Sequence, residues 1–319
     1  MRAQGNTSFR RILIAAALAI GATAAGGAGV ASAAPVSIDL CAKAGTLSVA
    51  GGATVPMWGF TQLSTGQTCA DVTAQVPGPV LDVAAGDAVT ITLHNDLAQP
   101  VALELPGEFV AQGAAEAPAG ATATYTFTAL SPGTFIYQSA SNGGRQNAMG
   151  LYGALIVRPT ASGRAYDDAS TAFDTERMLV LSAIDPALNA NPDTFDMRLF
   201  APTYWLINGK SHPDTSEIHV SAGQRLLLRY VNAGFDNTTM ALLGAHERVV
   251  GGDAFALLNP FDAIAETIPA GATMDAILTV PSAGRFPIYN RQLHLTNGAG
   301  TLGTPGYSPG GMMTFIVGT

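Results

Sequence analysis

The residues of this chain best suited to chemistry are few. They are two cysteines (Cys41 and Cys69), five histidines at positions 94, 212, 219, 246 and 294, and a methionine pair, Met312 and Met313, near the C-terminus. Thiolate, imidazole and thioether are the donors that hold soft transition metals. Their spacing is sparse: no two histidines are separated by a single residue. Other reaction classes find less support. The chain has no Gly-x-Ser-x-Gly elbow, no phosphate-binding loop and no His-Glu-x-x-His. Glu104, Asp253 and Asp262 are carboxylates without an evident partner, so the paired acids of glycoside hydrolysis are not in view. Asn237-Thr238-Thr239 fits a glycosylation sequon.

The elements that must position these residues read as strands. In DAVTITLHND, Val89, Ile91 and Leu93 alternate with Thr90, Thr92 and His94, the pattern of a half-buried strand. ATATYTF, RLLLRYVN, TYWLING, MDAILTV and MMTFIV are similar short runs separated by Gly, Pro, Asn and Asp. Long helical periodicity is absent. Within this pattern, GTFIYQSASNGGRQNAMGLYGALIV at 133–157 leaves one strand, crosses a polar loop and enters another strand past Gly150 and Gly153.

The chain also repeats itself. V-x-A-G occurs at 83–86 and 220–223, each followed nine residues after its glycine by an asparagine, Asn95 or Asn232. PAGAT occurs at 118–122 and 269–273, and thirteen residues beyond its glycine stands a second one, Gly133 or Gly284, opening an aromatic strand. GLYGALIV at 150–157 matches GGMMTFIV at 310–317 at both ends. Matched segments in one order predict two tandem β-domains, 36–160 and 176–319, joined by a polar linker over 161–175.

Residues 1–33 read as a secretory signal: Arg2, Arg10 and Arg11 precede an apolar small-residue run that ends in Ala-Ser-Ala. The arginine pair fits the twin-arginine route and an ordinary n-region equally. The expected location is therefore secreted or periplasmic. No other run is long and apolar enough to span a bilayer. Cleavage leaves 12 basic and 23 acidic residues, a net charge of −11, which argues against a nucleic-acid partner. In an exported chain the Cys41 and Cys69 pair is expected to form a disulfide, worth about 3 kcal/mol in the chain-entropy model. A pair of soft metal ligands is the alternative.

VPGPVLDVAAGDAVTITLHNDL, PGTFIYQ…MGLYGALIVRP, LINGKSHPD…VSAGQRLLLRYVNAG and the final GGMMTFIV resemble the multicopper oxidases. The resemblance covers nearly the whole mature chain. It implies an all-β fold of two Greek-key β-sandwiches of the cupredoxin type, and it makes a homo-oligomer, a trimer, the implied assembly. It also implies copper ligands at defined positions, and these are replaced. After Tyr137 the family has His-Ser-His where this chain has Gln138, Ser139 and Ala140. The repeat carries those positions to Tyr289, Asn290 and Arg291, with Asn290 at the thiolate position. His246 stands one residue past a family histidine position, and His294 lies near the last one, with Met312 and Met313 closing the domain.

The resulting expectation is a chain without a cofactor, neither trinuclear nor blue copper. It would be a non-catalytic binding, envelope or assembly protein whose interdomain contacts use Gln138, Arg145, Gln146, Tyr289, Asn290 and Arg291. The alternative is a copper-binding oxidoreductase or copper carrier with a non-standard site, for which His246, His294 and Met312 are the candidate ligands.

Overall fold

The computed structural model describes residues 35–108, 115–300 and 307–319. The export signal expected at 1–33 lies outside the described residues. Strands β1 Pro35–Ser48, β2 Thr54–Leu63, β3 Leu81–Ala84, β4 Ala88–Asn95, β5 Leu103–Glu104, β6 Thr122–Thr128, β7 Gly133–Ser139 and β8 Tyr152–Arg158 come first. They form two four-stranded sheets, ordered β2-β1-β4-β6 and β3-β8-β7-β5. Next are β9 Thr175–Ile184, β10 Tyr204–Ile207, β11 Ile218–Val220, β12 Arg225–Asn232, β13 Thr238–Leu242, β14 Glu247–Gly252 and β15 Phe255–Ala263. Last are β16 Ala265–Ile268, β17 Thr273–Thr279, β18 Gly284–Asn290, β19 Thr296–Asn297, β20 Ser308–Pro309 and β21 Met313–Gly318. These make a five-stranded sheet, β11-β21-β18-β13-β16, and an eight-stranded sheet, β15-β14-β17-β12-β9-β10-β19-β20. The result is the expected all-β architecture of tandem Greek-key sandwiches.

Each sandwich closes over its own core. Strand β4 turns Val89, Ile91 and Leu93 inward, and its partner β6 adds Tyr125 and Phe127. The four threonines of β6 stay outside, as a period of two requires. In the second sandwich Leu226, Leu228 and Tyr230 of β12 meet Met274, Ala276 and Leu278 of β17 across an antiparallel ladder.

The repeat seen in the sequence is a repeat of hydrogen bonds. The Asn95 amide donates to the carbonyls of Gln99 and Ala117 and accepts from the Leu97 N–H. The Asn232 amide donates to the carbonyls of Asp236 and Ile268 and accepts from the Gly234 N–H. Both side chains are buried, and each ties the end of its strand to the following loop.

A buried polar cluster locks the two sandwiches together. Arg229 on β12 is 0% exposed and donates to Glu176 Oε2 at 2.8 Å and to Thr134 Oγ1 at 2.9 Å. The Thr134 hydroxyl donates to Asp275 at 2.7 Å, and the Tyr166 hydroxyl donates to the same carboxylate at 2.8 Å. Burial would raise the Glu176 carboxyl, but Arg158 and Arg229 hold it below the usual carboxylate range. Tyr166 lies in the segment expected as a polar linker and is buried there, because its hydroxyl completes this cluster. Cys41 and Cys69 form the expected disulfide, joining β1 to the short turn Cys69–Asp71.

Candidate metal centre

Two loops occupy equivalent places at the ends of β7 and β18. The first runs from Ser139 through a turn at Asn142–Gly144 and a short helix α1, Arg145–Ala148, to Gly150. Gly150 has φ +117°, and a Cβ there would lie 2.3 Å from the Trp58 carbonyl oxygen. At Gly153 a Cβ would strike the Tyr137 ring. Both glycines are therefore demanded by close packing.

The side chains of this first loop bond to one another and to neighbouring segments. Gln138 donates to Glu104 Oε1 at 2.6 Å. The Ser139 hydroxyl donates to Gln146 Oε1 at 2.5 Å, and the Gln146 amide donates to the Pro100 carbonyl at 2.9 Å. The Ser141 hydroxyl donates to Glu116 Oε1 at 2.6 Å and accepts from the Ala102 N–H. Ala140 is exposed and adds no donor. Arg145 reaches across to the Phe195 carbonyl at 2.9 Å, so one of the expected interdomain residues serves as one. Gln138 and Gln146 instead bond within their own sandwich.

The second loop is built differently. Asn290 ends β18 and is 1% exposed. Its N–H donates to the Met312 carbonyl at 2.9 Å, and its amide nitrogen lies 3.8 Å from the Met312 sulfur. The Met312 N–H donates to the His294 carbonyl at 3.0 Å. Gly311 makes this strap possible: a Cβ on it would lie 2.2 Å from the His294 carbonyl oxygen. The His294 imidazole stacks on Trp205, with ring centroids 4.3 Å apart and planes 18° from parallel.

His294, Met312, Trp205, Phe235 and Asp236 line one cavity of about 10 Å³, room for roughly one water-sized occupant. Burial lowers the His294 pKa, with the nearby Asp236 charge acting in the opposite direction. The ring is thus held toward its neutral form, the form that coordinates metals. Tyr289 is half-buried, while Arg291 is exposed and offers its N–H to the Thr239 carbonyl.

The structure separates the other histidines. His246 is exposed in the connection between β13 and β14. In the β13–β18 ladder Met240 pairs with Asn290 and Leu242 with Ile288, so His246 leaves one end and His294 the other. His94 pairs with Asp39 at 3.0 Å on a partly exposed face. His219 is exposed, 3.8 Å from Glu217. His212 is half-buried beside the Phe315 ring, and its carbonyl accepts from buried Asn297. Among the described residues no three His, Cys, Asp or Glu side chains converge as a metal cluster. Trp205 was missed in the sequence. TYWLING reads there only as a strand, and nothing local marks its ring as a platform for a histidine 89 positions away.

Comparison with known proteins gives the site its context. Two family models, both described as multicopper oxidase, match residues 58–162 and 184–306. Laccase-25 of Oryza sativa subsp. japonica is 28% identical over 253 residues, which cover 67% of this chain and 41% of that protein. The chain thus spans under half the length of this curated relative. The blue copper oxidase from Nitrosomonas europaea superposes with a TM-score of 0.77 at 25% identity, covering 89% of this chain and 86% of that one. The copper nitrite reductase from Nitrosomonas europaea shares the fold, with a TM-score of 0.69 at 22% identity over 89% and 94% of the two chains. These matches overturn the expectation of a chain without a cofactor: its relatives are copper proteins, and the comparison points to copper. The loop at His294 places an imidazole and a thioether at one cavity. With both halves matched in order by the same family, the chain belongs to the multicopper oxidases.

Proposed function

We propose that this chain is an exported copper-binding protein that uses a non-standard site in its second sandwich, with His294 and Met312 as the ligands. The donor sets support this reading. The first loop offers amides and hydroxyls already committed to one another and does not fit copper. The second offers a neutral imidazole and a thioether around one cavity, a soft set suited to Cu(I). The single observation that carries the proposal is that His294 and Met312 line the same cavity.

A copper ion held there would supply one-electron chemistry between Cu(I) and Cu(II). Trp205 fixes the plane of the imidazole, and burial keeps that ring unprotonated and able to ligate. Asn290, at the family's thiolate position, anchors the loop and faces the Met312 sulfur with an amide instead of a sulfur ligand. A soft site with no thiolate favours carriage of Cu(I). Membership of an oxidase family favours one-electron transfer as the second reading.

In this reading the domains are 36–160 and 176–319, and Gln138, Ala140, Tyr289, Asn290 and Arg291 stand at replaced ligand positions. Residues 1–33 direct export. Among the described residues no helix is long and apolar enough to cross a membrane. Self-association is part of the proposal. Strand β15 lies at the edge of its sheet with Leu258 and Phe261 exposed, Leu258 at 97%, and Ile264 is exposed just beyond it. Long apolar edge strands commonly pair or are covered. Metal analysis after loading with copper under reducing conditions tests the function. One copper per chain, lost in both His294→Ala and Met312→Leu, is the expected result; retention in both variants contradicts the site.

A further inference from the structure

A second cavity lies apart from the histidine. It is a cleft of about 350 Å³ between the Pro106–Gly107 turn and β7 of the first sandwich, and the 269–273 turn and β14–β15 hairpin tip of the second. This volume falls within the range of small-molecule sites, which favour junctions between domains. Its walls are mainly apolar. Phe135 is buried at one side, while Phe255 stands at the rim, 69% exposed, with Pro106, Pro269 and Ala270 around it.

The polar groups in the cleft are almost all satisfied internally. The Thr134 hydroxyl donates to Asp275, the Thr273 hydroxyl donates to the Thr134 carbonyl, and the Gly271 N–H donates to the Asn232 carbonyl. Asp253 differs. Its Oδ1 accepts the Thr273 N–H at 2.9 Å, and no other hydrogen bond to its carboxylate is formed among the described residues. Asp253 is itself exposed at the mouth of the cleft, and its second carboxylate oxygen is left without a hydrogen bond among the described residues.

The backbone fixes that carboxylate in place. Asp253 and Ala254 form the two-residue turn between β14 and β15, with φ of 48° and 59°. Such turns need positive φ at both central positions, which aspartate tolerates and alanine resists. Ala254 is held there because it is buried against the first sandwich at Gly133, where a Cβ would come within 2.7 Å of it. The hairpin tip is thus wedged between the sandwiches, and Asp253 is presented in a preorganised position.

We infer that this cleft binds a small organic cation: a primary amine on an aromatic body. The ammonium group pairs with the free oxygen of Asp253, and the ring lies against Phe255 and the prolines. An exposed carboxylate pair alone contributes little. Adjacent aromatic faces add cation–π attraction and remove water from one side. This assignment is independent of copper and of His294.

The test is a titration of the mature full chain at low ionic strength, read by ligand-detected NMR. The probes are phenethylammonium, neutral 2-phenylethanol and anionic 3-phenylpropionate. Saturable binding of the ammonium probe alone is expected, weakened about tenfold in Asp253→Asn and similarly in Phe255→Ala. Asparagine tolerates the same positive φ and can accept the Thr273 N–H, so the turn survives that substitution. His294→Ala is expected to bind the probe as the parent does. Absence of saturable binding to the parent, equal binding by Asp253→Asn, equal binding of the neutral alcohol, or loss of binding in His294→Ala would each overturn the assignment.

Discussion

Trp205 and His294 stack face to face, 4.3 Å between centroids, and this contact sets the orientation of an imidazole that shares a cavity with a methionine. Trp205 comes from β10 and His294 from the loop after β18, so two strands must be correctly placed for the pair to form. Groups that orient a ligating histidine commonly change metal affinity by 10–100-fold. Trp205→Leu is therefore expected to weaken Cu(I) binding by about tenfold in a chelator competition assay while leaving the far-ultraviolet circular dichroism unchanged.

Asn290→Cys places a thiolate where an amide now faces the Met312 sulfur. Thiolate, thioether and imidazole would then share one site. The variant is expected to bind copper more tightly than the parent and to show a sulfur-to-copper charge-transfer band in the visible spectrum. A colourless copper-loaded variant would show that residue 290 does not face the bound ion.

Glu247 is a buried carboxyl whose only hydrogen bond among the described residues comes from the Tyr230 hydroxyl, at 2.9 Å. Burial pushes its pKa up to about 7. Between the unfolded value near 4.5 and the folded value near 7, the folded chain holds the proton more tightly. The contribution of this group to stability is therefore greatest below pH 4.5 and is lost as pH rises through 7. The loss from this group is of order 3 kcal/mol. Glu247→Gln should flatten the decline in denaturant midpoint between pH 5 and pH 8. Half-buried Glu108, also pushed up to about 7 by burial, titrates in the same window and leaves a smaller residual slope.

Gly150 sits where the first loop enters β8, and any Cβ there meets the Trp58 carbonyl oxygen and Val76. Gly150→Ala combines a backbone clash with an unfavourable positive φ. It is expected to cost more than about 2 kcal/mol in chemical denaturation. Gly86, also at positive φ but with open space around its Cβ direction, should lose only about 1 kcal/mol on the same change.

The fold was legible because its constraints are local. Positive-φ glycines such as Gly120 and Gly271 must recur at equivalent turns, and Asn95 and Asn232 must recur where each caps a strand end. The alternation in β4 and β6 named the core residues of the first sandwich. The proposed metal site was legible only in part. His294 and Met312 are near each other in the repeat, yet their shared cavity depends on the 290–294 loop folding back over Gly311. Trp205 could not be read because stacking is a tertiary event. Nothing local in RLLLRYVN marks Arg229 as buried. Its complete burial is explained only by Glu176, Asp275 and Thr134 arriving from three other strands. The no-cofactor expectation rested on counting histidine pairs, which measures only the family's usual site, and the similarity to copper proteins overturns it.

The central claim, that His294 and Met312 hold one copper ion, is tested most directly by X-ray absorption at the copper edge on the Cu(I)-loaded chain. The account predicts one imidazole and one sulfur scatterer in the first shell, with the sulfur contribution lost in Met312→Leu and the imidazole contribution lost in His294→Ala. A first shell without sulfur, or one unchanged in both variants, would contradict it.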